Sequence, residues 1–528
     1  MARFNSHVSF IQTHATNFPQ RLAFKLPQFE IDDGKPHRKI IGWTEITYEK
    51  FYRDIVQCGG YWLQTLQCPP RSVIGLWMSG MLYRDFVHLF GLTRAGLIPQ
   101  VLNLRINSVE IATTYFKQSN IEHIIYAPTA PIDPLRDHFQ THEIIDIEQT
   151  YSQQGEFTVP ELNEEDGNDT IFIYHTSGST AGQPKLIPYL RRWIDGNSRK
   201  PLFGLPDGKE TGIALNGVVH LSQFSISLQQ FRNSACLVLV PWLDFTGEEL
   251  VQIITECKAN ALYQLTPFLT AILQRAMTKK DLAAALQSLS FIPYGGGVCG
   301  ENERRWAKEN NVPIMNIYGG TEIGMAMMSG SDTTILHPLV YPGLVYEFRS
   351  LNPDDAKEND SNRLVEMVLA PSSLDCPHPS LCDPIDGYYH TRDVFQQVTP
   401  DGFKFRGRLE DFIKMKYGEA CDTIYIETQV MLSCKDLVSA CVVVGTGKPS
   451  PVLLVELLED TVNPAPLKEN IGKKVELINE DGFTHERIRP SDIIIVRSGS
   501  LPRTGKGTIK RAEAEQLFQQ SIDVLFDE

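Results

Sequence analysis

The chain has 528 residues, with 49 basic and 64 acidic side chains, a formal net charge of −15, and 42% hydrophobic residues. That length predicts two or more structural units with ample apolar content for large cores. The charge argues against a long polyanion such as nucleic acid as partner, and leaves room only for a local basic pocket.

The first residues, Met1-Ala2-Arg3-Phe4-Asn5-Ser6-His7, contain no apolar signal core. Residues 1–330 alternate amphipathic helical stretches with short apolar runs at 72–77, 123–126, 171–174, 213–215 and 236–240. Such alternation predicts α/β layers with largely parallel sheets. None of these runs is long enough to cross a bilayer, so no membrane partner is expected. From about Pro338 the texture changes. Runs at 344–349 and 364–369 flank a polar stretch at 352–363, and Pro400-Asp401-Gly402 separates runs at 394–398 and 403–405. These predict a small β subdomain with tight turns. A second domain is expected at 408–528, after a core at 1–407, with a hinge near 409–411 and strands at 440–444, 452–457 and 493–496. Ten cysteines occur without a C-x-x-C pair, which fits reduced cytoplasmic thiols. Cys376, His378 and Cys382 miss the usual zinc spacings.

The stretch Thr176-Ser177-Gly178-Ser179-Thr180-Ala181-Gly182-Gln183-Pro184-Lys185 follows an apolar strand. Glycines let backbone N–H groups approach an anion, hydroxyls donate further hydrogen bonds, and lysine adds charge, so the composition suits a phosphate. Downstream stand Tyr318-Gly319-Gly320-Thr321-Glu322, the segment Tyr389 to Asp393, Gly407-Arg408-Leu409-Glu410-Asp411, and Pro502-Arg503-Thr504 through Arg511. In this order the motifs resemble those of the adenylate-forming superfamily, which includes acyl-CoA synthetases and nonribosomal peptide adenylation domains. The resemblance implies a large three-part N-terminal domain and a small α+β C-terminal lid. It also implies ATP- and Mg²⁺-dependent activation of a carboxylic acid as acyl-adenylate, followed by transfer to a thiol.

Residue by residue, the resemblance implies that Thr176, Ser177, Gly178, Ser179, Thr180, Gly182 and Lys185 cradle the β- and γ-phosphates. Ala181 is one residue more than the family spacing has. Glu322 would hold Mg²⁺, Thr321 the α-phosphate and Tyr318 the adenine, with Asn316 and Gly319 in the same nucleotide-binding set. Asp393 would accept the ribose hydroxyls, flanked by Phe405 and Arg408; the family's glycine before that aspartate is Arg392 here, which could instead form a structural ion pair with it. Lys506 would be the bridging lysine, with Lys510 as the alternative, because the usual position is Thr508. His220 would lie near the acid's carboxylate, and Gly295, Gly296 and Gly297 would form a backbone wall, with Gly320 leaving room for the acid. Amino-acid-activating members carry an aspartate where Leu221 stands. A buried ammonium without a partner is costly, so an aryl or other non-amino acid is expected.

Segments 83–88 and 94–100, with Tyr417-Gly418-Glu419 and Ile426-Glu427, resemble the adenylation domain of fungal adenylate-forming reductases. In those enzymes the acceptor is the phosphopantetheine of a carrier domain, followed by a reductase domain absent from this chain. An excised adenylation domain and a free-standing relative are both open on this reading. A free-standing acyl- or aryl-CoA ligase and an inactive acyl-adenylate-binding protein are the alternatives. Gly295 to Gly300 formally matches G-x-G-x-x-G, but no acid follows about 20 residues on, as a dinucleotide site requires.

Overall fold

The computed structural model describes residues 7–526, apart from 33–34, 107, 162–165, 177–184, 201–204, 215, 243, 331–332, 352–362, 417–418, 460, 462, 482–483 and 504–508. Contacts divide the chain into two compact units. The first comprises Met1–Tyr346 with Leu369–Tyr389, the second Glu347–Val368 with His390–Glu528.

Three groups of strands build the first unit. A six-stranded sheet runs in the order Gln140–Glu143, His123–Tyr126, Val73–Met78, Ile98–Asn103, Thr170–Thr176, Lys185–Leu190. Its pairings are parallel except the last, where Thr170–Thr176 and Lys185–Leu190 run antiparallel and bring Thr176 opposite Lys185. A five-stranded sheet runs Ala261–Leu262, Thr211–Ile213, Cys236–Val238, Leu22–Asp32, Lys35–Thr47. It too is parallel apart from its final hairpin. The third group runs Gln264–Leu265, Ile292–Gly295, Ile314–Gly320, Gly324–Ser329, Leu336–Pro338. The parallel α/β layers expected from the alternating apolar runs are present, and the strands buried on both faces are the ones that read as continuous apolar runs.

An aromatic cluster fills the main core. Phe24 packs edge-on against Phe51 and Phe86, and Phe231 closes on Phe90. The helices Tyr48–Leu66 and Tyr83–Arg94 approach closely at Gly59 and Gly91, where a Cβ on Gly59 would lie 2.7 Å from the Gly91 carbonyl. Only glycine permits that contact.

The second unit contains strands ordered Gly402–Arg408, Tyr389–Thr399, Leu364–Leu369, Tyr346–Ser350, and a three-stranded sheet ordered Val438–Val444, Val452–Leu457, Ile493–Val496. The helices Thr423–Ser433 and Ala465–Asp481 accompany the latter. Leu409–Asp411 forms a short 3₁₀ turn capped by the Asp411 carboxylate, which accepts from the Arg408 N–H. No helix among the described residues is long and apolar enough to span a membrane.

Candidate active site

In the first unit a cavity of about 320 Å³ opens between the helix Leu221–Arg232 and the strand ends of the third group. Its size falls in the range of small-molecule sites. His220, Leu221, Gly295, Gly296, Gly319, Gly320 and Thr321, seven of the residues singled out from the sequence, line it together. Ile226, Tyr263, Leu265, Tyr294, Ile317 and Met325 supply apolar wall. No aspartate or glutamate lines the cavity among the described residues.

The glycines serve close approach. Gly296 has φ +82° and Gly297 φ +135°, both in the region that favours glycine. Gly297 does not line the cavity; its carbonyl accepts from Thr266 Oγ1 at 2.9 Å.

The segment Gly319–Met325 is held from outside through its carbonyls. Tyr189 donates its hydroxyl to the Thr321 carbonyl, and Trp193 donates Nε1–H to the Glu322 carbonyl at 3.0 Å. Lys200 donates to the Ile323 carbonyl at 3.1 Å and to the Met325 carbonyl. Gly324, at φ +66°, lets the turn press on the helix Arg191–Ser198; a Cβ there would meet Asn197 Oδ1 at 2.2 Å. None of Tyr189, Trp193, Lys200 or Asp375, which pairs with Lys200 at 2.8 Å, carries a local sequence signal, because each contact joins distant segments.

Glu322 is half-buried. Its carboxylate is the type of ligand that a hard divalent ion takes, together with other oxygens. Tyr318 is half-buried in the strand Ile314–Gly320. Asn316 is buried, its amide donating to the Thr333 carbonyl at 3.1 Å. Thr176 and the exposed Lys185 stand opposite each other at the loop end of their hairpin. Ser177, Gly178, Ser179, Thr180 and Gly182 lie outside the described residues.

His220 is mostly buried, and its pKa is pushed down to about 4, first by desolvation and then by the charges of Arg105 and His175. It is neutral at pH 7. Its Nε2 lies 2.8 Å from the Asn103 amide nitrogen. Asn103, which contacts the cavity residue His220 without lining the cavity itself, is a further residue that the motifs do not reveal.

The second unit carries the remaining residues. Asp393 and Arg408 face each other in register, with Arg408 donating to Asp393 Oδ1 at 2.9 Å. Phe405 is 40% exposed and packs edge-on to Phe395. The ion pair considered for Arg392 is made by Arg408 instead; Arg392 is exposed, with φ +56°. Lys506 lies outside the described residues, between Arg503 and Ile509, which bridge each other. Arg503 is tied to Glu456 at 2.6 Å and Arg511 to Glu427. Lys510 pairs with Glu513 at 2.8 Å. All ten cysteines are free; the Cys376 and Cys382 sulfurs are 3.8 Å apart, while His378 Nδ1 faces Ser380 rather than a metal position.

Comparison with known proteins agrees with the motifs. Residues 11–345 match the AMP-binding enzyme family and residues 410–528 match the AMP-binding enzyme C-terminal domain. The AMP-binding domain-containing enzyme iboA of Amanita muscaria is 29% identical over 524 residues, covering 95% of this chain and 99% of iboA. The adenylate-forming reductase Nps11 of Serpula lacrymans and a carboxylic acid reductase of Neurospora crassa are each 23% identical over 99% of this chain. The chain spans only 49% and 50% of those two proteins. Among solved structures, o-succinylbenzoate CoA synthetase from Bacillus subtilis superposes with a TM-score of 0.67 at 14% identity, covering 97% of this chain and 98% of that one. Apo MatB from Rhodopseudomonas palustris gives 0.68 at 13% identity, covering 98% and 100%. These two establish the fold: a large α/β adenylation domain with a smaller C-terminal domain. With both parts of the chain matched, the protein belongs to the AMP-binding enzyme family and is an adenylate-forming enzyme.

Proposed function

We propose that the chain activates a non-amino carboxylic acid with ATP and Mg²⁺ as acyl-adenylate and passes the acyl group to the thiol of coenzyme A. The observation that carries this reading is the cavity itself: apolar walls, a glycine-lined floor, neutral His220 at one side and Thr321 at another. A carboxylate oxygen attacks the α-phosphorus, pyrophosphate leaves, and the thiol sulfur then attacks the acyl carbon and releases AMP. The first step joins two anions, so catalysis here is positioning plus charge stabilisation.

In this reading Thr321 donates to the α-phosphate, and Lys185 with the residues at 176–182 binds the outer phosphates. Asp393 accepts the ribose hydroxyls, Tyr318 packs on the adenine, and Lys506 bridges the acid and phosphate oxygens. Glu322 would hold Mg²⁺, which screens phosphate charge when bound. Among the described residues no carboxylate lines the cavity to pair with an α-ammonium group, which favours a non-amino acid. The Asn316 side chain is better read as support for the strand than as a nucleotide contact.

Free coenzyme A is the acceptor in this reading, supported by o-succinylbenzoate CoA synthetase, which shares the fold over 97% of this chain. Transfer to a carrier-domain phosphopantetheine, with the chain acting like the adenylation part of a reductase, is the second reading, supported by Nps11 and the carboxylic acid reductase. ATP–pyrophosphate exchange with Mg²⁺ against a panel of aryl, fatty, hydroxy- and amino acids tests the first step. Exchange with one acid class supports the reading, whereas an amino acid as the best substrate overturns the role given to Leu221. ATP binding without exchange for any acid points to an acyl-adenylate-binding protein. Thioester formation from that acid with free CoA, compared with a phosphopantetheine-loaded carrier, separates the two acceptors.

A further inference from the structure

The strand Ile98–Asn103 ends at a buried carboxamide. The orientation of that amide is fixed by its surroundings: the backbone N–H of Arg105 donates to Asn103 Oδ1 at 2.8 Å. The opposite end of the amide is therefore its NH₂ group, and this lies 2.8 Å from His220 Nε2. An amide NH₂ offers donors only. Nε2 must accept, so the single proton of the neutral ring resides on Nδ1. A doubly protonated ring would set N–H against N–H.

The surroundings reinforce this. Burial, Arg105 beyond the strand end and His175 on the strand Thr170–Thr176 all act against a charged ring. His220 caps the helix Leu221–Arg232 and lines the cavity. Its backbone N–H is already spent on the Gly217 carbonyl, so the ring is what it can offer a ligand.

We propose that Asn103 is a positioning residue that locks His220 as the neutral Nδ1–H tautomer, so that His220 serves the bound acid as an uncharged hydrogen-bond donor and neither as a cation nor as a general base. The proposal rests on the reading that the acid is activated in this cavity. Its chemical sense is that an imidazolium would stabilise the carboxylate before reaction and blunt its attack on phosphorus. A neutral donor orients one oxygen and leaves the electron pair of the other available. Interactions stronger in the ground state than in the transition state slow the chemical step.

The test uses the full chain with ¹⁵N-labelled histidine, the His220 signals being assigned by their loss in His220→Gln. Wild type is expected to show protonated Nδ1 and unprotonated Nε2, with no titration between about pH 5 and 8. In Asn103→Asp a carboxylate accepts from Nε2–H, so the tautomer switches and the ring titrates above about pH 6.5. In pyrophosphate exchange, wild-type KM for the acid stays within about 2-fold over that range. In the variant, KM falls about 10-fold toward low pH while kcat drops, the signature of ground-state binding. A wild-type ring that carries its proton on Nε2, or titrates near pH 6.5, overturns the proposal with no variant needed. A folded Asn103→Asp enzyme whose KM tracks wild type at every pH overturns the positioning role. Absence of exchange in wild type instead removes the functional reading, and with it the carboxylate as partner of His220, while the spectrum still decides the tautomer.

Discussion

The ammonium of Lys200 and the carboxylate of Asp375 are both fully buried and lie 2.8 Å apart. Asp375 also accepts from Ser373 Oγ and from the Tyr346 hydroxyl, each at 2.5 Å. Burial lowers the Lys200 pKa, and Asp375 works against that shift. From this anchored position Lys200 reaches the carbonyls of Ile323 and Met325, on the far side of Glu322 from the cavity residue Thr321. Removing one partner of a buried pair leaves an uncompensated charge and costs about 3–5 kcal/mol. Lys200→Met is accordingly expected to destabilise the first unit by about that amount. In Lys200→Met with Asp375→Leu, most of the loss is recovered, since an apolar pair replaces an ionic one without a stranded charge. Exchange activity stays at least about 10-fold down in the double variant, because the carbonyl bonds that orient Thr321 and Glu322 are still missing. Urea unfolding and exchange rates measured on both variants check this. Full activity in the double variant would show the strut to be structural only.

Arg392 adopts φ +56° with its side chain exposed. A left-handed conformation costs a residue with a Cβ roughly 1–2 kcal/mol, part of which glycine returns through its greater freedom when unfolded. The neighbouring Asp393 pairs with Arg408 and does not need Arg392. Arg392→Gly is therefore expected to stabilise the second unit by about 0.5–1 kcal/mol without altering exchange. A raised urea midpoint for that unit's transition is the expected reading, and a lowered one means that Arg392 makes a contribution beyond its backbone.

The strands at Leu364–Leu369, Val452–Leu457 and Ile493–Val496 were legible in the sequence because most of their residues are buried, giving largely apolar runs that only Glu366 and Glu456 interrupt. The hairpin of Leu22–Asp32 and Lys35–Thr47 carried a weaker signal, since Pro27 interrupts its alternation. Seven cavity residues could be named because motifs such as 318–322 are contiguous in the chain. The groups that orient them could not. Asn103 and His220 are separated by 117 residues, and Lys200, read along the sequence, is one of many surface-like lysines. Only the fold brings it to Asp375. Arg392 lies between these cases: its departure from the family's glycine marked the position, but the left-handed backbone that explains it belongs to the structure.

Of the two candidate lysines, Lys510 alone lies among the described residues. Lys510 is held by Glu513 within the same turn, at 2.8 Å. Arg503 and Ile509, on either side of Lys506 in the chain, bridge each other, and Glu456 and Glu427 hold Arg503 and Arg511. Lys506→Ala is expected to lower exchange by at least about 100-fold with ATP binding retained, as loss of an interaction made in the transition state does. Lys510→Ala should stay within about 3-fold, because an exposed i,i+3 ion pair contributes little. The reverse ranking would assign the bridging role to Lys510.

His88 gives the cleanest pH dependence. The ring is fully buried; Nδ1 lies 2.8 Å from the Arg84 carbonyl, and Nε2 accepts from the Ile145 N–H at 3.4 Å. A carbonyl only accepts, so Nδ1 holds the proton, and a second proton on Nε2 would face an N–H. Burial, aided by the Arg84 charge and opposed by its carbonyl, pushes the pKa down to about 4. The folded value thus lies below the unfolded value of about 6.5, so in that window the unfolded chain binds the extra proton. Stability from this group is intact above about pH 6.5 and declines as pH falls toward 4, by about 3 kcal/mol across the interval. His88→Gln removes that slope while lowering stability at neutral pH. Unfolding free energies of the first unit, compared between pH 7 and 4.5 in wild type and variant, should differ in their acid-induced loss by about 2–3 kcal/mol. Identical slopes would place the acid sensitivity on other groups.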